Sequence, residues 1–154
     1  MNQEVRQTLR QDNDNSEVKD GMDIALCSLD LERNVLQFAG ANNPLFIVRD
    51  NELKIIKGDR FPIGVYNNDT NNLFNNHTIQ LKEGDAIYIF SDGYADQFGG
   101  VKGKKFKNKQ FKEILLFIQD YDMDEQKEIL KRTLEEWRGE TNQVDDILVV
   151  GVKI

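Results

Sequence analysis

The chain predicts an α+β fold built on antiparallel sheets. Two observations carry this. Between Met22 and Phe90, short apolar and β-branched runs alternate with polar turns, and helical periodicity begins only after them. Strands gathered first and paired helices gathered later argue against a βαβ repeat and a parallel sheet. No internal repeat is visible, and 154 residues suit one domain spanning 1–154.

The elements follow in order. Asn2 to Leu9 is weakly helical, and Asp12 to Ser16 reads as a loop. Asp23-Ile-Ala-Leu-Cys-Ser-Leu29 is nearly continuous in apolar residues, so a strand covered on both faces is expected. Asp30 to Asn34 makes a polar turn, and Val35 to Ala39 returns as its hairpin partner. Gly40-Ala-Asn-Asn-Pro44 breaks that strand, with Asn42 and Asn43 suited to a tight turn. Leu45 to Val48 and Leu53 to Ile56 flank a second turn. Asn67 to Asn76, with six asparagines, is a loop. Thr78 to Leu81 and Ala86 to Phe90 are strands joined by Lys82-Glu-Gly-Asp85.

The helices come next. Phe111, Ile114, Leu115 and Ile118 fall at i, i+3, i+4 and i+7, which is one buried helical face. Asp122, with Glu125 three residues on, is a capping-box variant. Ile129, Leu130, Thr133, Leu134 and Trp137 form the inner face of that second helix, and Gly139 stops it. Ile147 to Val152 is expected to be a final core strand.

Composition narrows the function classes. A net charge of −7 opposes nucleic acid as a partner and provides no attraction to an anionic membrane. The single cysteine, Cys27, cannot form an internal disulfide and reads as a packed thiol in a reducing compartment. No segment is long enough to span a bilayer, and no signal peptide opens the chain. A cytoplasmic location is therefore expected, either for the chain itself or as the cytoplasmic part of a membrane-anchored sensor.

Two acids stand out. Asp92 lies in Ile87-Tyr-Ile-Phe-Ser-Asp-Gly93, and Asp145 heads Asp-Asp-Ile-Leu-Val-Val150. Each sits at the mouth of an apolar run, where a carboxylate usually has a cation or hydrogen-bond donor beside it. Two such acids meeting at one end of a sheet would offer oxygen ligands to a hard cation. The simpler alternative is a turn, since Ser-Asp-Gly is good turn chemistry. Pattern alone leaves both readings open.

Five segments in order resemble a known family. They are Asp20-Gly-Met-Asp-Ile-Ala-Leu-Cys27, Phe38-Ala-Gly-Ala-Asn-Asn-Pro-Leu45, Phe61-Pro-Ile-Gly64, Gly84-Asp-Ala-Ile-Tyr-Ile-Phe-Ser-Asp-Gly93 and Val144-Asp-Asp-Ile-Leu-Val-Val150. Together they resemble the metal-dependent type 2C (PPM-type) serine/threonine protein phosphatases, in the bacterial sporulation stage II E-like branch. The resemblance implies an αββα sandwich of antiparallel sheets with a binuclear Mg²⁺ or Mn²⁺ centre. It implies that Asp92 and Asp145 are metal ligands, with Asp146 as the alternative ligand. The implied reaction is attack on phosphoserine or phosphothreonine by a metal-bound water, in bacterial signalling, where the substrate is often an anti-sigma antagonist. Cys27 and His77 match no nucleophile of the family, and His77 reads as a solvated bystander. Leu148 stands where many relatives carry Thr.

The family pattern also includes a Gly-Asp-Phe-Tyr-Asp-like and a Gly-His-Gly-like segment upstream, and neither is found here. The chain is therefore expected to be the C-terminal part of a phosphatase domain, truncated at the N-terminus or a natural short form. It would hold the ions weakly or not at all, be inactive alone and self-associate through the apolar surface left bare. The competing reading is a non-catalytic, truncated or degenerate phosphatase-fold module that binds a protein partner; a third is an unrelated α+β binding domain. Lys102, Lys104 and Lys105 open a basic cluster that continues through Lys107, Lys109 and Lys112. It reads either as a docking site for a phosphoprotein or as a solvated loop and helix start. Asp96 is either a second acid behind Asp92 or an exposed turn residue.

Overall fold

A computed structural model describes residues 21–64 and 73–154. The expectations for Asn2 to Leu9 and for most of the asparagine-rich loop lie outside the described residues. The chain divides into two compact units.

The first unit takes in the described residues of 21–45, 56–64 and 73–80. It carries a three-stranded antiparallel sheet in the order β1-β2-β5, with β1 at Ile24–Asp30, β2 at Val35–Ala41 and β5 at His77–Gln80. Asp30 closes the first turn, its carboxylate accepting the N–H groups of Glu32 and Arg33. Strand β2 runs two residues further than the sequence suggests, through Gly40 and Ala41. The reason is a close backbone approach. A Cβ on Gly40 would lie 2.3 Å from the Asn43 carbonyl and 3.1 Å from the Gly58 Cα, so glycine here serves packing rather than a break. The break falls at Asn42, whose φ of 58° and side-chain bond to Asp23 (2.7 Å) make the turn. Ile63 of the Phe61-Pro-Ile-Gly64 element is buried and bridges Met22.

Two expectations in this unit are corrected. Strand β1 is an edge strand among the described residues, and Leu26 is 50% exposed. Its apolar run is therefore not covered on both faces. His77 is not a solvated bystander: it opens β5, is half-buried, and stacks on Phe38 with ring centroids 6.1 Å apart.

The second unit takes in 46–55 and 81–154. Its sheet has the order β4-β3-β6-β9, with β3 at Leu45–Arg49, β4 at Glu52–Ile56, β6 at Ala86–Phe90 and β9 at Val149–Lys153. Asp50 and Asn51, both at positive φ, make the tight turn between β3 and β4. Strand β6 is central and buried, and it pairs antiparallel with both β3 and β9. Phe46 and Val48 of β3, with Ala86, Tyr88 and Phe90 of β6, share one face, as the two-residue period requires. Against that face pack α2 (Lys107–Phe117) and α3 (Met123–Arg138). Phe111, Leu115 and Ile118 are fully buried, as the helical spacing predicts. The capping box on α3 is present: Asp122 accepts the Glu125 N–H, and Glu125 accepts the Asp122 N–H. Gly139, at φ 54°, ends that helix.

The last strand corrects a third expectation. Among the described residues, strand β9 is not a core strand but the sheet's outer one, with Val150 and Val152 each 40% exposed. Only Val149 faces the core cluster. Gly151 lets Tyr88 and Met123 approach to within 3.2 Å of where a Cβ would stand.

Two elements escaped sequence reading. A single turn, α1 (Gly93–Asp96), follows Asp92, and a two-stranded hairpin follows it, with β7 at Phe98–Gly99 and β8 at Lys104–Lys105. Among the described residues, no helix is long and apolar enough to cross a membrane.

Candidate metal site and its surroundings

The end of β6 is built by three consecutive residues with separate tasks. Ser91 continues the pairing with the last segment: its N–H donates to the Leu148 carbonyl at 3.0 Å. Its Oγ donates to the Asp146 carbonyl at 2.7 Å and accepts the Leu148 N–H at 2.9 Å. Gly93 permits contact, because a Cβ there would lie 2.3 Å from the Asp146 carbonyl oxygen. Asp92 stands between them, exposed. Its carbonyl accepts the Asp96 N–H at 2.9 Å, while its side chain does not cap the short helix it heads. So the residues on either side of Asp92 both touch the Asp146 main chain.

Asp145 and Asp146 are also exposed. The Asp145 carboxylate accepts the Asp146 N–H at 2.7 Å, and the Asp145 carbonyl accepts Gln143 Nε2 at 2.7 Å. These bonds shape the turn that leads into β9. The two acidic segments singled out in the sequence therefore meet at one end of the second unit's sheet.

Asp96 lies one turn beyond Asp92, half-buried, and pairs with Lys105 at 2.7 Å. Three residues of the basic cluster thus differ from the rest, Lys112 by placing its amine over the Phe46 ring, 5.5 Å from the centroid. Lys105 is engaged by Asp96, and Lys109 lies 3.9 Å from Glu113. Lys102, Lys104 and Lys107 are exposed and have no acidic partner among the described residues.

Sequence reading missed Gln97, which organises this region. It is fully buried. Its Nε2 donates to the carbonyls of Phe98 and Asn142, each at 2.9 Å. Its own carbonyl accepts Phe106 N–H at 2.9 Å and Trp137 Nε1 at 3.1 Å. Trp137, on the inner face of α3, packs half-buried against the core cluster as expected and is also an anchor. Its carbonyl accepts Gly100 N–H at 2.7 Å, and its ring lies edge-on to Phe106. A glutamine has no periodicity to betray it, so no sequence signal pointed here.

The oxygen chemistry of Asp92, Asp145 and Asp146 suits a hard cation. Among the described residues, these acids alone are too few for a binuclear centre. Among the described residues, no three His, Cys, Asp or Glu side chains gather into a metal-binding group. An ion such as Mg²⁺ sheds its water reluctantly and needs more than an isolated acid pair.

Comparison with known proteins places the chain. No curated protein sequence matches it. Among solved structures, the SiaA-PP2C domain of Pseudomonas aeruginosa is 31% identical, with a TM-score of 0.85 over 99% of this chain and 59% of that one. The phosphatase domain of the cell fate determinant SpoIIE from Bacillus subtilis, presoaked with Mn, is 19% identical, with a TM-score of 0.65 over 96% of this chain and 62% of that one. A structure of RsbU and RsbW domains from Mycobacterium tuberculosis is 19% identical, with a TM-score of 0.69 over 98% of this chain and 40% of that one. The latter two similarities speak to the fold alone. The chain thus spans about three fifths of the length of the first two structures. The family model of stage II sporulation protein E matches residues 1–154. With the phosphatase fold in these structures and the family match across the whole sequence, the chain belongs to the SpoIIE family of type 2C phosphatase domains.

Proposed function

We propose that this chain is the C-terminal part of a protein serine/threonine phosphatase domain that hydrolyses phosphoserine or phosphothreonine in bacterial signalling. The observation that carries the reading is the junction of the Ser-Asp-Gly and Asp-Asp segments at one sheet end, in a chain of phosphatase family and fold. On this reading Asp92 and Asp145 are metal ligands, with Asp146 as the alternative. The remaining ligands belong to the part of the relatives' domains that this chain does not span. Mg²⁺ or Mn²⁺ would supply an acidified water and charge neutralisation at the phosphoryl group. The chain's own contribution is placement: Ser91 and Gly93 hold the two acidic segments together. A phosphoprotein is the substrate class, with an anti-sigma antagonist as one example.

A second reading has its own support. The absence of a three-acid group among the described residues favours a non-catalytic phosphatase-fold module that binds a protein partner. The two part on one experiment. The full-length natural protein is assayed with a phosphoserine peptide and Mn²⁺. The enzyme reading expects turnover that falls at least about a hundredfold in Asp92→Asn and in Asp145→Asn, in keeping with loss of a metal-held nucleophile. Turnover indifferent to both substitutions would reject the site, and no turnover at all would favour the binding module.

A further inference from the structure

We infer that the β7–β8 hairpin is a docking site for an acidic peptide segment of the protein substrate, beside the candidate metal site. This rests on the phosphatase reading for the word substrate, but the docking itself does not.

Charge is the first observation. Six lysines fall between positions 102 and 112, and no acid lies anywhere from Gln97 to Lys112, in a chain whose net charge is −7. Such local reversal of sign is a directional field, and it selects short acidic segments. An extended polyanion would also meet the acidic remainder of the surface, so a membrane or nucleic acid fits less well.

Rigidity is the second. The hairpin is pinned to the end of α3. Gly100 N–H bonds the Trp137 carbonyl, and a Cβ on Gly99 would lie 1.9 Å from that same oxygen. Thr141 Oγ1 donates to the Phe98 carbonyl at 2.8 Å, and buried Gln97 ties Phe98 to Asn142. A preorganised platform loses less entropy on binding than a mobile loop does. The platform presents Lys102 and Lys104 without acidic partners, together with wholly exposed Val101 and 40% exposed Phe98.

Position is the third. Lys105 on β8 pairs with Asp96, and Asp96 is one helical turn from Asp92. Four residues of helix rise about 6 Å. A peptide reaching from the lysines to the candidate site would need only a few residues, so the acidic residues would lie close in sequence to the phosphorylated one.

The test uses the 154-residue chain and two fluorescent, unphosphorylated serine peptides, one acidic and one neutral, read by anisotropy. The acidic peptide is expected to bind about tenfold tighter, and the preference is expected to vanish in the double variant K102E/K104E and at high salt, as for exposed ion pairs. Both lysines are exposed, and a melting curve confirms that the variant folds. Equal binding of the two peptides, or an undiminished preference in the variant, would overturn the docking site. So would tighter binding of phosphatidylserine vesicles or single-stranded DNA than of the acidic peptide. Hydrolysis of a small phosphomonoester by the full-length protein forms a separate arm. If the acidic peptide binds while that arm shows no turnover, the phosphatase reading fails and the docking site stands.

Discussion

Ser91 and Asp146 are joined through the Ser91 hydroxyl, which donates to the Asp146 carbonyl at 2.7 Å while accepting the Leu148 N–H. Gly93 closes the same junction from the other side of Asp92. These two contacts differ in kind, which makes them testable separately. Ser91→Ala removes hydrogen bonds at an exposed site and should cost about 1 kcal/mol. Gly93→Ala forces a methyl onto a carbonyl 2.3 Å away and should cost more, about 1–3 kcal/mol, because backbone must move. Urea unfolding of the two variants checks the order. A Gly93→Ala protein as stable as the parent would show that the segments do not adjoin.

The chain by itself should show negligible phosphatase activity, even in millimolar Mn²⁺. Two-metal hydrolysis needs ligands that clamp both attacking and leaving oxygens, and the described residues gather no three-acid group. Calorimetric titration with Mn²⁺ should likewise find only weak binding. Robust turnover of a phosphomonoester by the chain, lost on Asp92→Asn, would contradict this.

Half-buried Arg49 and buried Asp85 form an ion pair in the second unit, with Nε to Oδ1 at 2.6 Å and Nη2 to Oδ2 at 2.5 Å. Burial pushes the Asp85 carboxyl up, but the Arg49 hydrogen bonds, the Lys82 N–H and the nearby positive charge outweigh it, so its value is lowered. The sign of the pH effect follows. The pair's stabilisation is fully present above the unfolded carboxylate value, about 3.9, and is lost as pH falls through the folded one. Asp85→Asn should cost about 2 kcal/mol at neutral pH, since it leaves the guanidinium facing a neutral amide. The variant's stability should also fall less steeply in acid. Thermal melts of both proteins from pH 7 to pH 3 measure this, and parallel curves would refute it.

The sequence revealed most where a single physical rule governed. The face of Phe111, Leu115 and Ile118, the capping box at Asp122 and the stop at Gly139 each follow from local periodicity or local hydrogen bonding. It misleads where an apolar run implies burial. Leu26, Val150 and Val152 have the composition of core strands, yet they lie on outer strands among the described residues, because strand order is set by distant pairings. Gly40 resembles a breaker because glycine's two uses, flexibility and close approach, look alike in one dimension. The α1 turn and the β7–β8 hairpin were invisible because buried Gln97 and the Trp137 carbonyl hold them, not a pattern in their own residues. For the candidate site, the residue types and the meeting of two segments were readable; the task of Ser91 in joining them was not.

Tyr88 and Gln126 share a buried hydrogen bond of 2.5 Å between strand β6 and helix α3. Gln126 is held from its other end by donation to the Tyr121 carbonyl. Burial raises the Tyr88 phenol to about 12. A neutral acid whose folded value is raised contributes stability that is full below the unfolded value, about 10, and is lost as pH rises from there toward the folded one. Tyr88→Phe leaves the Gln126 oxygen unpaired and should cost about 1–2 kcal/mol. It should also blunt the loss of stability above pH 10. Denaturation of parent and variant at pH 8 and pH 11 tests both parts; an equal alkaline loss in the two proteins would exclude Tyr88 as its source.

Self-association is the last expectation, and it now has an address. Strand β9 ends its sheet among the described residues, and Leu148, Val150 and Val152 are 59%, 40% and 40% exposed. Strand β1 is likewise outermost in its sheet, with Leu26 half exposed. An outer strand presents a row of backbone donors and acceptors that another strand can pair with, and apolar side chains along it add burial. Natural edges are usually blunted by charge, proline or a bulge. In β9 a charged side chain appears only at Lys153, whose amine is occupied by the Gln119 and Tyr121 carbonyls. The 154-residue chain should therefore form dimers or larger species as its concentration rises. Val150→Lys places a charge on the exposed face without entering the core and should shift the chain toward monomer, whereas the same change at Leu26 isolates the contribution of β1. Light scattering across a hundredfold concentration range, with and without each substitution, decides between the edges. A parent chain that stays monomeric at the highest concentration would refute the expectation for both.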